Sequence, residues 1–341
     1  MKHCACWLLA SVSVFTGLIA AEEPAPGYHV VKKEVIGGEG SWDYLSLDAD
    51  ARRLYISRET RVIVLDMDTF KTIKEIPNTN GIHGVALVPE LNRGFTSNGR
   101  DNTITIFDLK TFEKVGEAKA GPKPDAIVYE PFSHRVFAFN NGGTTATAID
   151  AATGQAVGNI ELGGAPEFAV SDGKGHMYVN LEDKSEIVAF DPTKLQVLNH
   201  WSLAPGEAPT GLAIDIEHRR LFSGCHSKTM QVMDADTGKI VASLPIGAGV
   251  DAAAFDPGSQ MAFSSNGDGT LTVIHEDTPD TYHVVQNVVT QTGARTMALD
   301  PKTHQIWMVT AETKPAPATE PNKRRKTIVP NTFTVLVVGT N

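Results

Sequence analysis

The chain of 341 residues holds only three cysteines, and aromatic residues make up 7% of it. Cys4 and Cys6 sit at the extreme N-terminus, so no disulfide framework is available to the rest, and no CxxC or CxxCH spacing marks a zinc site or an attached haem. No GxSxG elbow, HExxH helix, Walker loop or GxGxxG turn before a helix occurs, which removes the familiar nucleophile, zinc-protease and nucleotide motifs. Positive charge is scarce: 30 Lys and Arg stand against 40 Asp and Glu, a net charge of −10. Such a surface repels nucleic acid unless a local basic patch overrides it. Apolar residues are 41% of the chain and spread along it, which supplies a core and argues against disorder.

One long apolar run exists, Ala5–Ala21, preceded by Lys2 and His3 and broken by Glu22, Glu23 and Pro24. Its length and order predict a secretory signal over residues 1–21, with an uncleaved anchor as the alternative. Both early cysteines precede the run, so a lipoprotein cysteine after it is missing. Cleavage leaves a mature chain of net charge −11, with Cys225 as its single thiol and no membrane span. The expected location is the periplasm or the medium, and the expected state is a monomer.

What fills the remainder is a repeat. An apolar strand, a turn with His, Arg or Asn, a second strand, a third strand closing on Asp and a Thr-Gly-like turn recur along the chain. Examples are RRLYISRETRVIVLD (52–66), RGFTSNGRDNTITIFD (93–108), HRVFAFNNGGTTATAID (134–150), HMYVNLEDKSEIVAFD (176–191) and RRLFSGCHSKTMQVMD (219–234). QMAFSSNGDGTLTVIH (260–275) is a weaker copy, and HQIWMVTAE (304–312) resumes at NTFTVLVVG (331–339). Aligned on the start of the first strand, the units place Asp43, His83, Asp125, Glu167, Thr210, Asp251 and Arg295 at one position, 40–44 residues apart. That spacing, with period-2 patterns and Asp-Gly, Thr-Gly and Asn-Gly turns, predicts an all-β fold, a seven-bladed propeller of four-stranded blades. The last unit is one strand short, and GYHVVKKEVIGG (27–38) supplies the closing strand, so residues 22–341 form one domain. Residues 314–331 interrupt that unit with Pro315, Pro317, Pro321, Pro330 and the run Lys323–Lys326. They read as an extended basic loop, either a flap or docking site for an anionic partner or simply solvated chain.

The pairing of RRLYISR with VIVLDMDTFK, RGFTSN with ITIFDLKTFEK, and RRLFSGC with MQVMDADTGK resembles the YVTN repeat of exported bacterial β-propellers. The chain from about Gly27 to Asn341 is similar to the YncE-like group. The resemblance implies a propeller fold and an envelope location. It leaves function open, since one periplasmic member binds single-stranded DNA and wider relatives are propeller domains of redox enzymes.

The seven aligned residues ring the mouth of the central channel. Four carboxylates, an imidazole and a guanidinium suit a divalent cation such as Ca²⁺, Mg²⁺ or Zn²⁺, a general acid and base, or a polar ligand. The bland alternative is a water-filled channel whose lining is polar because no apolar core reaches the axis. A second set at the end of the adjacent strand includes Asn98, Asn141, His226 and Asn266, expected at the same mouth. His226 beside His83 would give a two-histidine metal shell, although the two come from opposite sides of the ring. The Asn residues either contact ligand or hold tight turns. Cys225 next to His226 invites a nucleophile–base pair, but neighbours on a strand face opposite ways. The remaining histidines (His134, His176, His218, His304) recur at one turn on the far face and read as structural, as does the aromatic column Tyr55, Phe95, Phe137, Tyr178, Phe222, Trp307. The leading expectation is a non-catalytic scaffold that binds a small molecule or envelope protein at the channel mouth. A metal-dependent hydrolase or lactonase using the acidic ring is the alternative. A redox-enzyme accessory and a single-stranded DNA binder rank lower.

Overall fold

A computed structural model describes Met1, residues 27–315 and residues 326–340. Residues 2–21 of the expected signal segment lie outside the described residues, as do Lys323, Arg324 and Arg325 of the basic run.

Seven four-stranded antiparallel sheets follow one another along the chain. Their first strands are Leu45–Asp48, Ile82–Val88, Pro124–Glu130, Pro166–Ser171, Pro209–Asp215, Val250–Asp256 and Met297–Asp300. Each first strand contacts the first strands of the sheets before and after it, and the seventh contacts the first, which closes a ring around a central axis. This is a seven-bladed β-propeller. The one helical element among the described residues is a single turn, Pro89–Leu91. In the seventh blade His29–Val35 pairs antiparallel with Thr334–Gly339, with His29 opposite Gly339 and Val35 opposite Thr334.

Burial explains the sequence pattern strand by strand. The second and third strands, such as Arg53–Arg58 and Arg61–Asp66, are buried on both faces, and apolar residues run consecutively through their middles. The fourth strands, such as Lys114–Lys119, are mostly exposed and polar. Apolar side chains gather in seven clusters, each shared chiefly by two adjacent blades, so the core lies between blades rather than inside any one. The aromatic column falls within these clusters: Phe222 stacks on Phe255 at 5.1 Å and Trp307 on Phe70 at 5.1 Å. Close approach forces one glycine: a Cβ on Gly211 would lie 2.5 Å from the Ala252 carbonyl carbon of the next blade.

Two polar devices repeat. After each third strand of blades 1 to 5 an Asp turns its carboxylate back on the turn; Asp66 accepts from the Thr69 N–H and hydroxyl, both at 2.8 Å. Asp108, Asp150, Asp191 and Asp234 do the same for their own turns. Backbone hydrogen bonds hold Asp66, Asp108 and Asp150 below the usual carboxylate range. An Arg opening the second strand reaches the next blade: Arg53 donates to Leu109 O, Arg93 to Ala151 O, Arg135 to Pro192 O and Arg220 to Pro279 O.

The insertion differs from the loop expected over 314–331. Thr313–Pro315 and Lys326–Ile328 pair as a short antiparallel ladder, with Pro315 opposite Lys326. A proline at the end of a strand forfeits a donor without interrupting the bonds before it, so proline density did not forbid pairing at the arms.

Candidate functional site

The ring position is built by a bulge. In blades 2 to 6 the first residue of the first strand pairs normally and the register then slips by one, as between Ile82 and Val85 or Pro124 and Ile127. His83, Asp125, Glu167, Thr210 and Asp251 all lie in these bulges, which turn their side chains to the axis. The second strands hold the loosened backbone. Ser57 Oγ accepts from Asp43 N at 3.0 Å, Ser97 Oγ from Gly84 N at 3.0 Å, and Asn180 donates to Thr210 O at 2.9 Å. Ser97 and Ser265 also donate to the carbonyls of Asp125 and Arg295 in the following blades.

Five of the seven ring residues form one ionic network, and Glu167 is hydrogen-bonded beside it. His83 Nδ1 lies 2.6 Å from Asp43 Oδ2 and 3.2 Å from Asp125 Oδ1. Arg295 Nε lies 3.2 Å from Asp251 Oδ2, and its Nη2 lies 3.8 Å from Asp43 Oδ1. Glu167 accepts from the Asn141 amide at 2.7 Å and from the Tyr44 hydroxyl at 3.4 Å. Thr210 stands apart, its hydroxyl donating to Val250 O at 2.9 Å.

Burial and crowding set the charges. Desolvation, with Asp125, Glu182 and Asp251 nearby, pushes the Glu167 carboxyl up to about 9, so it carries its proton at neutral pH. Desolvation, only partly offset by Arg295, pushes Asp251 up to about 7, and burial raises Asp125 as well. Burial works against a charged His83, but the Asp43 hydrogen bond and the Asp125 and Asp43 charges outweigh it, and its pKa is raised.

The mouth opens into a cleft of about 430 Å³ lined by Ser41, Trp42, Asp43, Glu59, His83, Arg100, Lys123 and Arg295, among others. A neighbouring cleft of about 520 Å³ shares Trp42 and Arg295 and runs to Thr313 and Ile328 at the base of the insertion. Lys123 and Arg100 had no place in the sequence-derived site. Lys123 reaches Asp125 at 3.4 Å and Asn141 at 2.7 Å, and Arg100 reaches Glu59 at 3.1 Å. Both come from connections between strands, where a repeat alignment carries no signal of side-chain direction. The basic residue within Gly121-Pro122-Lys123-Pro124-Asp125, just before a ring position, was the available clue.

The second expected set divides. Asn141 joins the network through Glu167 and Lys123. Asn98 and Asn266 are buried and spend their amides on threonines of the adjacent strand: Thr103 and Thr105 for Asn98, Thr270 and Thr272 for Asn266. His226 is exposed, and the group of potential ligand atoms around His83 contains Asp43 and Asp125 rather than His226. Cys225 is buried, and desolvation pushes its thiol up to about 12, which leaves no thiolate for nucleophilic work. The far-face histidines engage carboxylates, His218 with Asp215 and Glu276 at 2.7 and 2.9 Å and His304 with Asp256 at 2.8 Å.

The first strands also present apolar side chains, against the picture of a wholly polar channel. Beyond the ring, Val85, Leu87, Ile127, Phe168, Val170, Ile214 and Ile216 line a recess of about 540 Å³. Tyr44 packs on Phe168 at 5.2 Å between this recess and the ionic mouth.

No family model matches the chain, and no curated protein matches it. Among solved structures it is similar to hydrazine synthase of Kuenenia stuttgartiensis, with a TM-score of 0.67 and 15% identity over 87% of this chain and 96% of that one. At that identity the likeness is one of fold, and the fold is a seven-bladed β-propeller.

Proposed function

We propose that the chain is an exported, non-catalytic binding propeller of the YVTN-repeat, YncE-like kind, whose channel mouth takes a small zwitterionic molecule of amino-acid or dipeptide size. The observation that carries this reading is the alternation of acidic and basic groups around one cleft. Arg295 lies beside Asp43 on the adjacent blade, His83 stands between Asp43 and Asp125, and Lys123 lies against Asp125. A ligand ammonium would meet the carboxylates and a ligand carboxylate the guanidinium and ammonium groups, with Trp42 as an apolar wall. The volume of about 430 Å³ is sufficient for such a molecule. The repeat pattern and the run Ala5–Ala21 support the family and the export route.

Isothermal titration of the mature protein with free amino acids, dipeptides, succinate and glucose tests the proposal. Binding confined to zwitterions, and weakened about tenfold or more by Arg295→Gln and by Asp43→Asn, is the expected result. No binding, or binding indifferent to both substitutions, overturns it.

A divalent cation at Asp43, His83 and Asp125 is the second reading, because their ligand atoms lie within 4.8 Å of one another. It would lead toward metal-dependent hydrolysis. Existing partners weigh against it: His83 already pairs with both carboxylates through Nδ1, and the Lys123 ammonium lies against Asp125. Elemental analysis of protein purified without chelator decides between them. A stoichiometric metal that disappears in Asp43→Asn with Asp125→Asn would put the cation reading first.

A further inference from the structure

Blade 6 breaks the repeat. Its third and fourth strands, Thr270–Thr278 and Thr281–Val289, run nine residues each, where the third strands of blades 1 to 5 run six. The added length carries Asp277 and His283, and His275 stands where blades 1 to 5 close the strand on Asp. Alternation along the strand separates two faces: Glu276 turns inward to His218 at 2.9 Å, while His275 and Asp277 turn outward together. His283 lies directly opposite His275 in the ladder. Two residues two apart on one strand and one across from them form a triangle on a single face.

The triangle is assembled and held. His275 Nδ1 lies 2.8 Å from Asp277 Oδ1, and His283 Nδ1 lies 2.7 Å from Asp277 Oδ2. One ligand atom from each residue falls within 4.8 Å of the other two. The hairpin tip is tied to blade 5, since Arg220 donates to Pro279 O at 2.7 Å and to Asp280 Oδ1 at 2.9 Å. All three residues are solvent-accessible, so a hydrated ion can enter without opening the fold.

We propose that His275, Asp277 and His283 form a binding site for a borderline divalent transition metal, Zn²⁺ in the first instance, on the outer face of blade 6. Two imidazole nitrogens and one carboxylate oxygen suit zinc, with water completing the shell; Ca²⁺ and Mg²⁺ call for more oxygen ligands than one carboxylate supplies. Two other groups of potential ligands exist among the described residues, Asp43–His83–Asp125 and Asp215–His218–Glu276. Each has a single imidazole, and the second is largely buried and committed to pairing blade 5 with blade 6. The bound ion would clip the two outer strands of blade 6 together and leave open coordination positions facing solvent.

The test uses chelator-stripped mature protein, titrated with Zn²⁺ by calorimetry and with Co²⁺ by visible absorption. Three forms are compared: wild type, His275→Gln with His283→Gln, and Asp43→Asn with Asp125→Asn. One equivalent bound at micromolar affinity or tighter, weakened about 100-fold or more by the histidine pair and unchanged by the mouth pair, is expected. His283 is exposed and His275 half-buried on the outer face, so circular dichroism and melting should stay close to wild type. Wild-type binding weaker than about 0.1 mM, or a loss of less than about tenfold in the histidine variant, overturns the assignment. Loss only in the mouth variant places the metal at the channel and overturns it equally.

Discussion

Two neighbouring positions on each blade face the same mouth and obey opposite rules. At the end of the second strand, blades 2, 3 and 6 repeat one residue in Asn98, Asn140 and Asn266. Each points its amide into the blade at a pair of threonine hydroxyls. At the ring position beside it the residue changes from blade to blade, and five of the side chains pair with one another while Glu167 is held by Asn141. A residue that recurs answers a geometric need that these blades share, here the capping of a tight hairpin. A residue that varies at fixed geometry makes a symmetric scaffold asymmetric, which a binding site requires. The variable ring is therefore where ligand recognition is expected, and the repeated asparagines are where stability is expected.

Substitutions can break this division. The largest effect should follow deletion of residues 27–35, which strips the strand paired with Thr334–Gly339 and exposes a long apolar edge. The shortened protein should aggregate or lose cooperative unfolding, because the loss approaches the roughly 5–15 kcal/mol that holds a typical domain. Next, Phe222→Ala should cost about 3–5 kcal/mol in denaturant unfolding, since the ring is fully buried against Phe255 and Tyr282. Asn266→Ala should cost about 1–3 kcal/mol by stranding Ser264, Thr270 and Thr272, with zwitterion binding intact. A mutant that stayed stable but lost binding would erase the distinction between the two positions.

The smallest effect concerns pH. Glu167 and Asp251 are raised above their ordinary values in the folded protein, so the stability linked to them is greatest at low pH and falls as pH rises through about 9 and about 7. The depressed turn aspartates work the other way and lose their contribution only as pH falls below their ordinary range. Melting temperature should therefore decline between about pH 5 and about pH 9, and Glu167→Gln should flatten that decline. An unaltered slope in the variant would remove Glu167 from the account.

The sequence made the ring residues visible because the repeat spacing fixes strand position, and strand position fixes which residues surround an axis. It did not show where side chains point. Asn98 and Asn141 read as equivalent candidates, yet one turns into the blade and the other reaches Glu167. Alternation across a turn decides that, and a one-residue difference reverses the face. Lys123 and Arg100 lie in connections that the repeat does not align. The apolar recess around Phe168 and Ile214 was hidden because the same residues satisfy a strand's ordinary apolar pattern. The pairing of His275 with His283 depends on two strands having been lengthened together, which spacing alone does not reveal.

The most direct test of the central claim is a paired titration of Asp43→Asn with Asp125→Asn against Asn98→Ala, using the dipeptide or amino acid that binds wild type most tightly. The account predicts that the ring variant loses affinity about tenfold or more while Asn98→Ala binds as wild type does. Equal losses in the two, or a loss confined to Asn98→Ala, would contradict it.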